Sequence, residues 1–276
     1  MKEEDIKNWD EFESKLQELE RIRTEAKGKS HSILSDFLYR GQANSAWRLE
    51  TTLERYSDQR FSLRKYYAYA LAAKPKLESF TNQTWPVPDR DQYDEWIKKQ
   101  SSLRYFNYDT YSYLAYLRHH TFPSPLLDWT ESPYVAAFFA MNNVHKDIKS
   151  VSIYVFWETP GNVKVTSSDY PGIHSIGPYV KTHRRHFLQQ SRYTICTAFD
   201  EKVDYPGKVY YACHEDVIAR NELNQDKLWK FNIPVTERIA FLHQLNRMNI
   251  NAYSLFGTEE SLIDSIAVDE ILLRDR

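Results

Sequence analysis

Leu126-Leu127-Asp128-Trp129-Thr130-Glu131-Ser132-Pro133-Tyr134-Val135-Ala136-Ala137-Phe138-Phe139-Ala140 is the stretch on which the fold turns. Leu126-Leu127 reads as a short buried strand. Small polar and acidic residues follow at once. Ser132 or Thr130 then caps a helix predicted from Pro133 to Asn142, with proline in the first turn, where its missing N–H leaves no bond unmade. That helix buries Val135, Ala136, Ala137, Phe138, Phe139 and Ala140. A strand that delivers Asp128, Thr130 and Ser132 just ahead of a packed helix is a common architecture for a binding site. The same three residues would serve equally well as helix caps.

Outward from this stretch, the N-terminal half is helical in pattern. Ile6, Trp9, Phe12, Leu16, Leu19 and Ile22 recur at three- and four-residue steps, predicting an amphipathic helix over 3–27 that packs on the domain or binds a partner. Phe37-Leu38-Tyr39-Arg40-Gly41 predicts a strand ending at a turn. Helical patterns cover 50–80 and 91–120, and Pro123 and Pro125 end the second.

The C-terminal half is richer in strands. Val151 to Trp157 alternates and is β-branched; 193–197, 208–212 and 228–233 predict further strands, and 163–185 reads as irregular. A helix over 235–248, a short helix over 262–266 and a last strand at Ile271-Leu272-Leu273 complete the order. Helices first, then strands mixed with helices, is an α+β pattern built on a mixed or antiparallel sheet, not a βαβ alternation. No internal repeat or low-complexity linker divides the chain. The division expected is an N-terminal amphipathic helix, 1–30, ahead of one domain over 31–276.

Composition narrows the function classes. At 276 residues the chain can bury a sizeable core. No run of eighteen apolar residues occurs, so no membrane span is expected. Met1-Lys2-Glu3-Glu4-Asp5 is acidic and lacks the apolar region of a secretory signal. Cys196 and Cys213 are too few for a disulfide framework and too isolated for a zinc site, so a reducing cytoplasm is expected and no metal. A net charge of −2 argues against coating nucleic acid by bulk charge. Seven glycines, none in G-x-G-x-x-G or G-x-x-x-x-G-K spacing, disfavour a glycine-rich phosphate loop. The 20 tyrosines suit a core of rings with polar tips, or stacking on flat ligands.

Arg40, at a strand end before Gly41, offers a planar fork that can grip a phosphate at two points beside exposed backbone. A surface salt bridge at a turn would use the same residues. His119 reads more readily as a satisfied core histidine than as a catalyst. Lys181-Thr182-His183-Arg184-Arg185-His186-Phe187 is the densest basic run and could contact nucleic-acid phosphates or form a solvated face.

Taken together these motifs resemble the FRG domain family. Phe37-Leu38-Tyr39-Arg40-Gly41-Gln42-Ala43-Asn44, followed by Trp47, is similar to its opening motif. His119, Pro123, Leu126, Leu127, Asp128, Trp129, Thr130, Ser132, Pro133 and the alanine-rich helix are similar to its central run. Arg118, Thr121 and Pro125 stand where that pattern has glutamine, glycine and arginine. Gln189-Gln190 with Tyr193-Thr194, then 233–256, resemble its later parts, with Gly257 in place of a proline. The resemblance spans about 34–266.

The family's motif order in turn resembles that of ADP-ribosyltransferases: an aromatic-Arg-Gly strand, a polar strand end before an Ala-x-x-Phe helix, and a late glutamate. The resemblance thus implies an ADP-ribosyltransferase-like fold and activity with NAD as co-substrate. Arg40 would hold the pyrophosphate. Tyr39, Gly41, His119, Asp128, Trp129, Thr130 and Tyr193 would line the NAD site, with Tyr39, Trp129 or Tyr193 stacking on nicotinamide. Glu260 or Glu270 would be the catalytic carboxylate. The implied setting is a cytoplasmic toxin or antiphage effector with a neutralising antitoxin partner, acting on nucleic acid, RNA first, or on protein. Three other readings stand beside it: a non-enzymatic nucleic-acid or ligand-binding module, an NAD glycohydrolase, and a nuclease.

Overall fold

Ser150–Trp157 is buried along nearly its whole length, and it holds the middle of the sheet. In chain order the strands are β1 (Lys2–Asp5), β2 (Phe37–Gln42), β3 (Leu127–Thr130), β4 (Ser150–Trp157), β5 (Gly172–Ile176), β6 (Ser191–Phe199), β7 (Val209–Tyr211) and β8 (Lys227–Pro234). They form one sheet in the order β1-β8-β4-β2-β3-β6-β5, with β7 also paired to β6. β1 runs parallel to β8, and every other pairing is antiparallel. The structure is a computed structural model describing residues 1–29, 35–99, 106–158, 172–177, 180, 182–200, 202–204, 207–220 and 226–274.

Eleven α-helices are seen among these residues: α1 (Trp9–Lys29), α2 (Thr52–Tyr56), α3 (Leu63–Thr81), α4 (Arg90–Lys99), α5 (Tyr108–His119), α6 (Pro133–Met141), α7 (Arg185–Leu188), α8 (His214–Arg220), α9 (Arg238–Arg247), α10 (Ala252–Phe256) and α11 (Glu259–Ala267). None is long and apolar enough to cross a membrane. The class is α+β, as the sequence predicts.

The sheet is covered on both faces. Against one face pack α1, α6 and α9, burying Phe12, Phe37, Tyr39, Ala136, Ile153, Val155, Trp157 and Phe241. On the other, Leu38, Trp129, Tyr154, Phe156 and Leu228 meet Ile218 of α8. A further core joins α3 and α5 to Tyr193 and Ile195 of β6. Several tyrosines are buried, and three of their hydroxyls are satisfied inside: Tyr66 donates to the Pro123 carbonyl (3.0 Å), Tyr67 to Pro88 (2.6 Å) and Tyr113 to Ala70 (2.8 Å).

Local chemistry sets the helix starts. Ser132 caps α6 by accepting from the Val135 N–H (3.3 Å), and Pro133 follows. Thr51 and Glu54 form a capping box on α2, and Ser62 caps α3. The breaks between these caps divide the helical pattern over 50–80 into two helices.

Four expectations need correction. The N-terminal helix begins at Trp9, because Lys2–Asp5 instead extends the open edge of β8 as a strand. Its charges suit an edge: Glu3 accepts from Asn232 (2.8 Å) and pairs with Lys230 (3.0 Å). Ile271-Leu272-Leu273 lies in a π-helical turn, Val268–Leu273, and not in a strand. The described part of 163–185 includes β5, which pairs with β6. Thr130 does not cap α6, because its hydroxyl is turned to the Gln189 carbonyl.

Candidate functional site

β2 has two unlike edges. Along one it pairs with β4 over six residues, Phe37 to Gln42. Along the other it meets β3 at a single pair, Tyr39 with Thr130. β3 itself pairs with β6 over four residues. The two strands therefore part immediately, and a cleft of about 890 Å³ occupies the fork. That volume is typical of a small-molecule site.

Gly41 explains how β2 reaches this position. A β-carbon there would stand 2.0 Å from the Ala136 carbonyl oxygen and 2.6 Å from the Ala140 nitrogen. Only glycine lets the strand lie this close to α6. Gly41 borders the cleft, as expected, and its missing side chain also serves the helix contact.

Arg40 points to the fork. Its Nη1 donates to the Asp128 carbonyl oxygen at 2.8 Å, and the Asp128 carboxylate lies 3.9 Å away. Burial lowers its pKa to about 10, opposed by Asp128, so the guanidinium stays charged at neutral pH. Arg118, at the end of α5, donates to the same Asp128 carboxylate. One carboxylate thus steadies two guanidiniums and leaves an excess positive charge. The Nε donors of both arginines are buried and have no partner among the described residues. Arg48 and Arg55 add two more guanidiniums to the cleft wall. Arginine forks in a partly dry cleft are suited to phosphate or carboxylate oxygens.

Behind Arg40 runs a buried hydrogen-bond chain that sequence reasoning missed. The Trp129 indole N–H donates to the Thr194 hydroxyl (2.8 Å), which also meets His214 Nε2 (2.8 Å). Burial, with the Arg40 charge adding to it, pushes His214 down to about 3, so it is neutral. No local pattern marks this chain, because Trp129, Thr194 and His214 converge from three distant segments.

The three predicted stacking rings all border the cleft, as expected, but each is largely buried. Trp129 is core, packed on Phe156 with centroids 5.5 Å apart. Tyr193 is fully buried, stacked on His186, with its hydroxyl 2.9 Å from His119 Nε2. Tyr39 is buried beside Phe37. The exposed ring on the cleft wall is Trp47, 54% accessible. The opening motif was its signal. Phe139 and Phe256, packed edge to face at 6.0 Å, line the cleft as well.

The other predicted residues divide. His119 lines the cleft and is held neutral by burial, its pKa lowered to about 4. Thr130 lines it too, but its hydroxyl donates to the Gln189 carbonyl (2.7 Å) and accepts from the Ser132 N–H (3.1 Å). It therefore ties β3 to the turn before β6. Neither late glutamate reaches the cleft. Glu260 is exposed in the first turn of α11, where backbone N–H and Thr258 lower its pKa. Glu270 is exposed and paired with Arg274. The carboxylates that do line the cleft are Asp128 and Glu50, and sequence reasoning missed Glu50.

The basic run is not one solvated face. Lys181 lies outside the described residues, His186 is buried, and Arg185 sits over the Phe256 ring at 5.3 Å. Thr121, at the cleft rim, has φ +66°, the left-handed region that a β-branched residue rarely adopts. This is the position where the resemblance implies glycine. Among the described residues no cluster of three or more His, Cys, Asp or Glu could hold a metal ion.

Compared with known proteins, residues 35–149 match the family model described as FRG domain. That segment contains β2, β3, α6 and most of the cleft wall. No curated protein and no solved structure matches the chain.

Proposed function

The chain carries an FRG domain, and from that premise we propose that the fork between β2 and β3 binds NAD and that the protein transfers ADP-ribose to a macromolecule. The observation that carries this reading is the Arg40–Asp128–Arg118 arrangement. Two guanidiniums on one carboxylate, each with a spare buried donor, suit a pyrophosphate. Trp47, Phe139 and Phe256 offer apolar surface for the flat ends of a dinucleotide. Asp128 orients the arginines and does not face the sugar as a free base.

The reaction breaks the bond between ribose C1′ and the nicotinamide nitrogen. The bonding electrons leave with nicotinamide, which becomes neutral. C1′ gains oxocarbenium character and takes an electron pair from the acceptor oxygen or nitrogen, which gives up a proton. The cleft would favour this step by holding the pyrophosphate fixed while the sugar reacts. Such an enzyme, active in the cytoplasm, would harm its own cell, which fits a toxin of a defence system held by a neutralising protein. RNA is the first acceptor to test, because exposed Trp47 beside Arg48 pairs a stacking ring with a cation at the cleft mouth.

The test is incubation of the purified protein with adenylate-labelled NAD and cell extract. Label should appear on a macromolecular fraction, RNase-sensitive if RNA is the acceptor, and disappear with Arg40→Ala. Wild-type protein that neither consumes NAD nor labels RNA, DNA or protein overturns the reading. Free ADP-ribose without labelling makes the protein a glycohydrolase and removes the transfer step.

A further inference from the structure

We infer that Glu50 is the catalytic carboxylate of this cleft, an inference that rests on the NAD reading above. The transferase chemistry needs an anion near C1′, and the two late glutamates lie elsewhere on the surface. Of the two cleft carboxylates, Asp128 is occupied: Arg118 donates a hydrogen bond to its Oδ2. Its charge is spent on holding the arginines.

Glu50 is placed differently. Its backbone is pinned on both sides. The N–H donates to the Arg48 carbonyl (3.0 Å), and the Glu50 carbonyl accepts from Arg55 Nη1 (3.3 Å). Its carboxylate makes no hydrogen bond among the described residues. The nearest cation, Arg48 Nη1, is 3.9 Å from Oε1. Arg48 is itself claimed by Glu215 (3.2 Å) and Asp216 (2.7 Å), so it leaves Glu50 unbonded. The Glu50 side chain is only 32% accessible and lines the same cleft as Arg40 and Arg118. A fixed backbone with a partly desolvated carboxylate that accepts no hydrogen bond is what stabilising a developing cation requires.

In the reaction, the Glu50 carboxylate faces the positive charge that builds at C1′ as the glycosidic electrons pass to nicotinamide. It then accepts the proton released by the acceptor and returns it to solvent. Charge and atoms balance with NAD and the acceptor as the only reactants.

Three measurements separate the outcomes: nicotinamide release, NAD affinity by calorimetry, and melting temperature, each on wild type, Glu50→Gln and Glu50→Asp. The expected result is nicotinamide release lowered about 100-fold or more in Glu50→Gln, with NAD affinity within about threefold of wild type. Glu50→Asp, which keeps the charge on a shorter stem, should retain more turnover than Glu50→Gln. If Glu50→Gln turns over at the wild-type rate, the inference fails while the NAD reading stands. If it loses NAD affinity in step with turnover, Glu50 is a binding residue and the inference also fails. If wild type releases no nicotinamide, the NAD reading falls and takes this one with it.

Discussion

The two edges of β2 are built on different principles. The edge toward β4 is closed by backbone pairing along all six residues, between side chains that are nearly all buried. The edge toward β3 is closed by one backbone pair, and beyond it side chains take over: Arg40 reaches across to Asp128, and Arg118 joins from α5. Backbone pairing gives rigidity and leaves no room. Side-chain bridging gives position, charge and space. One strand thus anchors the fold with its first edge and presents a site with its second.

The largest effect should come from breaking the packing that fixes β2 as a whole. Gly41→Ala forces a β-carbon into the α6 backbone. We expect a loss of about 3 kcal/mol in denaturant unfolding, because neither strand nor helix backbone can yield cheaply. A loss below about 1 kcal/mol would mean that β2 and α6 can slide apart.

Acid should strike the buried histidines beside and behind the fork. His119 and His186 are lowered by burial from 6.5 to about 4, and His214 to about 3. Between those values and 6.5 the unfolded chain binds more protons than the folded one. Stability from these groups is therefore complete above about pH 7 and falls as pH drops through 6.5 toward 4. Denaturant midpoints at about pH 7.5 and pH 5 should show this fall, and Thr194→Val, which uncouples His214 from Trp129, should change its size.

The smallest effect has the opposite sign. Thr121→Gly relieves a left-handed β-branched residue at φ +66°. It should raise stability by up to about 1 kcal/mol. A fall in melting temperature would mean that the Thr121 hydroxyl, bonded to the His120 carbonyl at 2.6 Å, matters more than the strain.

Local chemistry made much of this legible. The alternation of β4, the Ser132-Pro133 cap and the Arg40 and Asp128 motifs each depend on neighbours in the chain. What stayed hidden depends on register between distant segments. The single β2–β3 pair is what opens the cleft, and no residue near 39 or 130 encodes how many pairs will form. Trp129 and Tyr193 look like stacking rings in sequence, but the far side of the sheet and α7 bury them. Glu260 and Glu270 matched by order alone, and order says nothing about which face of a helix a carboxylate occupies. Glu50 carried no motif of its own and became visible only as a neighbour of Arg118 and Arg40 across the cleft. Glu3 to Asp5 read as the start of a helix because charges flank Ile6, whereas the open edge of β8 supplied partners for the backbone of Lys2–Asp5.

The most direct test of the claim that the open edge of β2 is the ligand site is calorimetric titration of NAD into wild type, Arg40→Ala and Glu270→Gln. One NAD per chain is expected for wild type, with unchanged affinity for Glu270→Gln and binding lost in a folded Arg40→Ala protein. Equal NAD affinity in Arg40→Ala, or loss of affinity in Glu270→Gln alone, would contradict that claim.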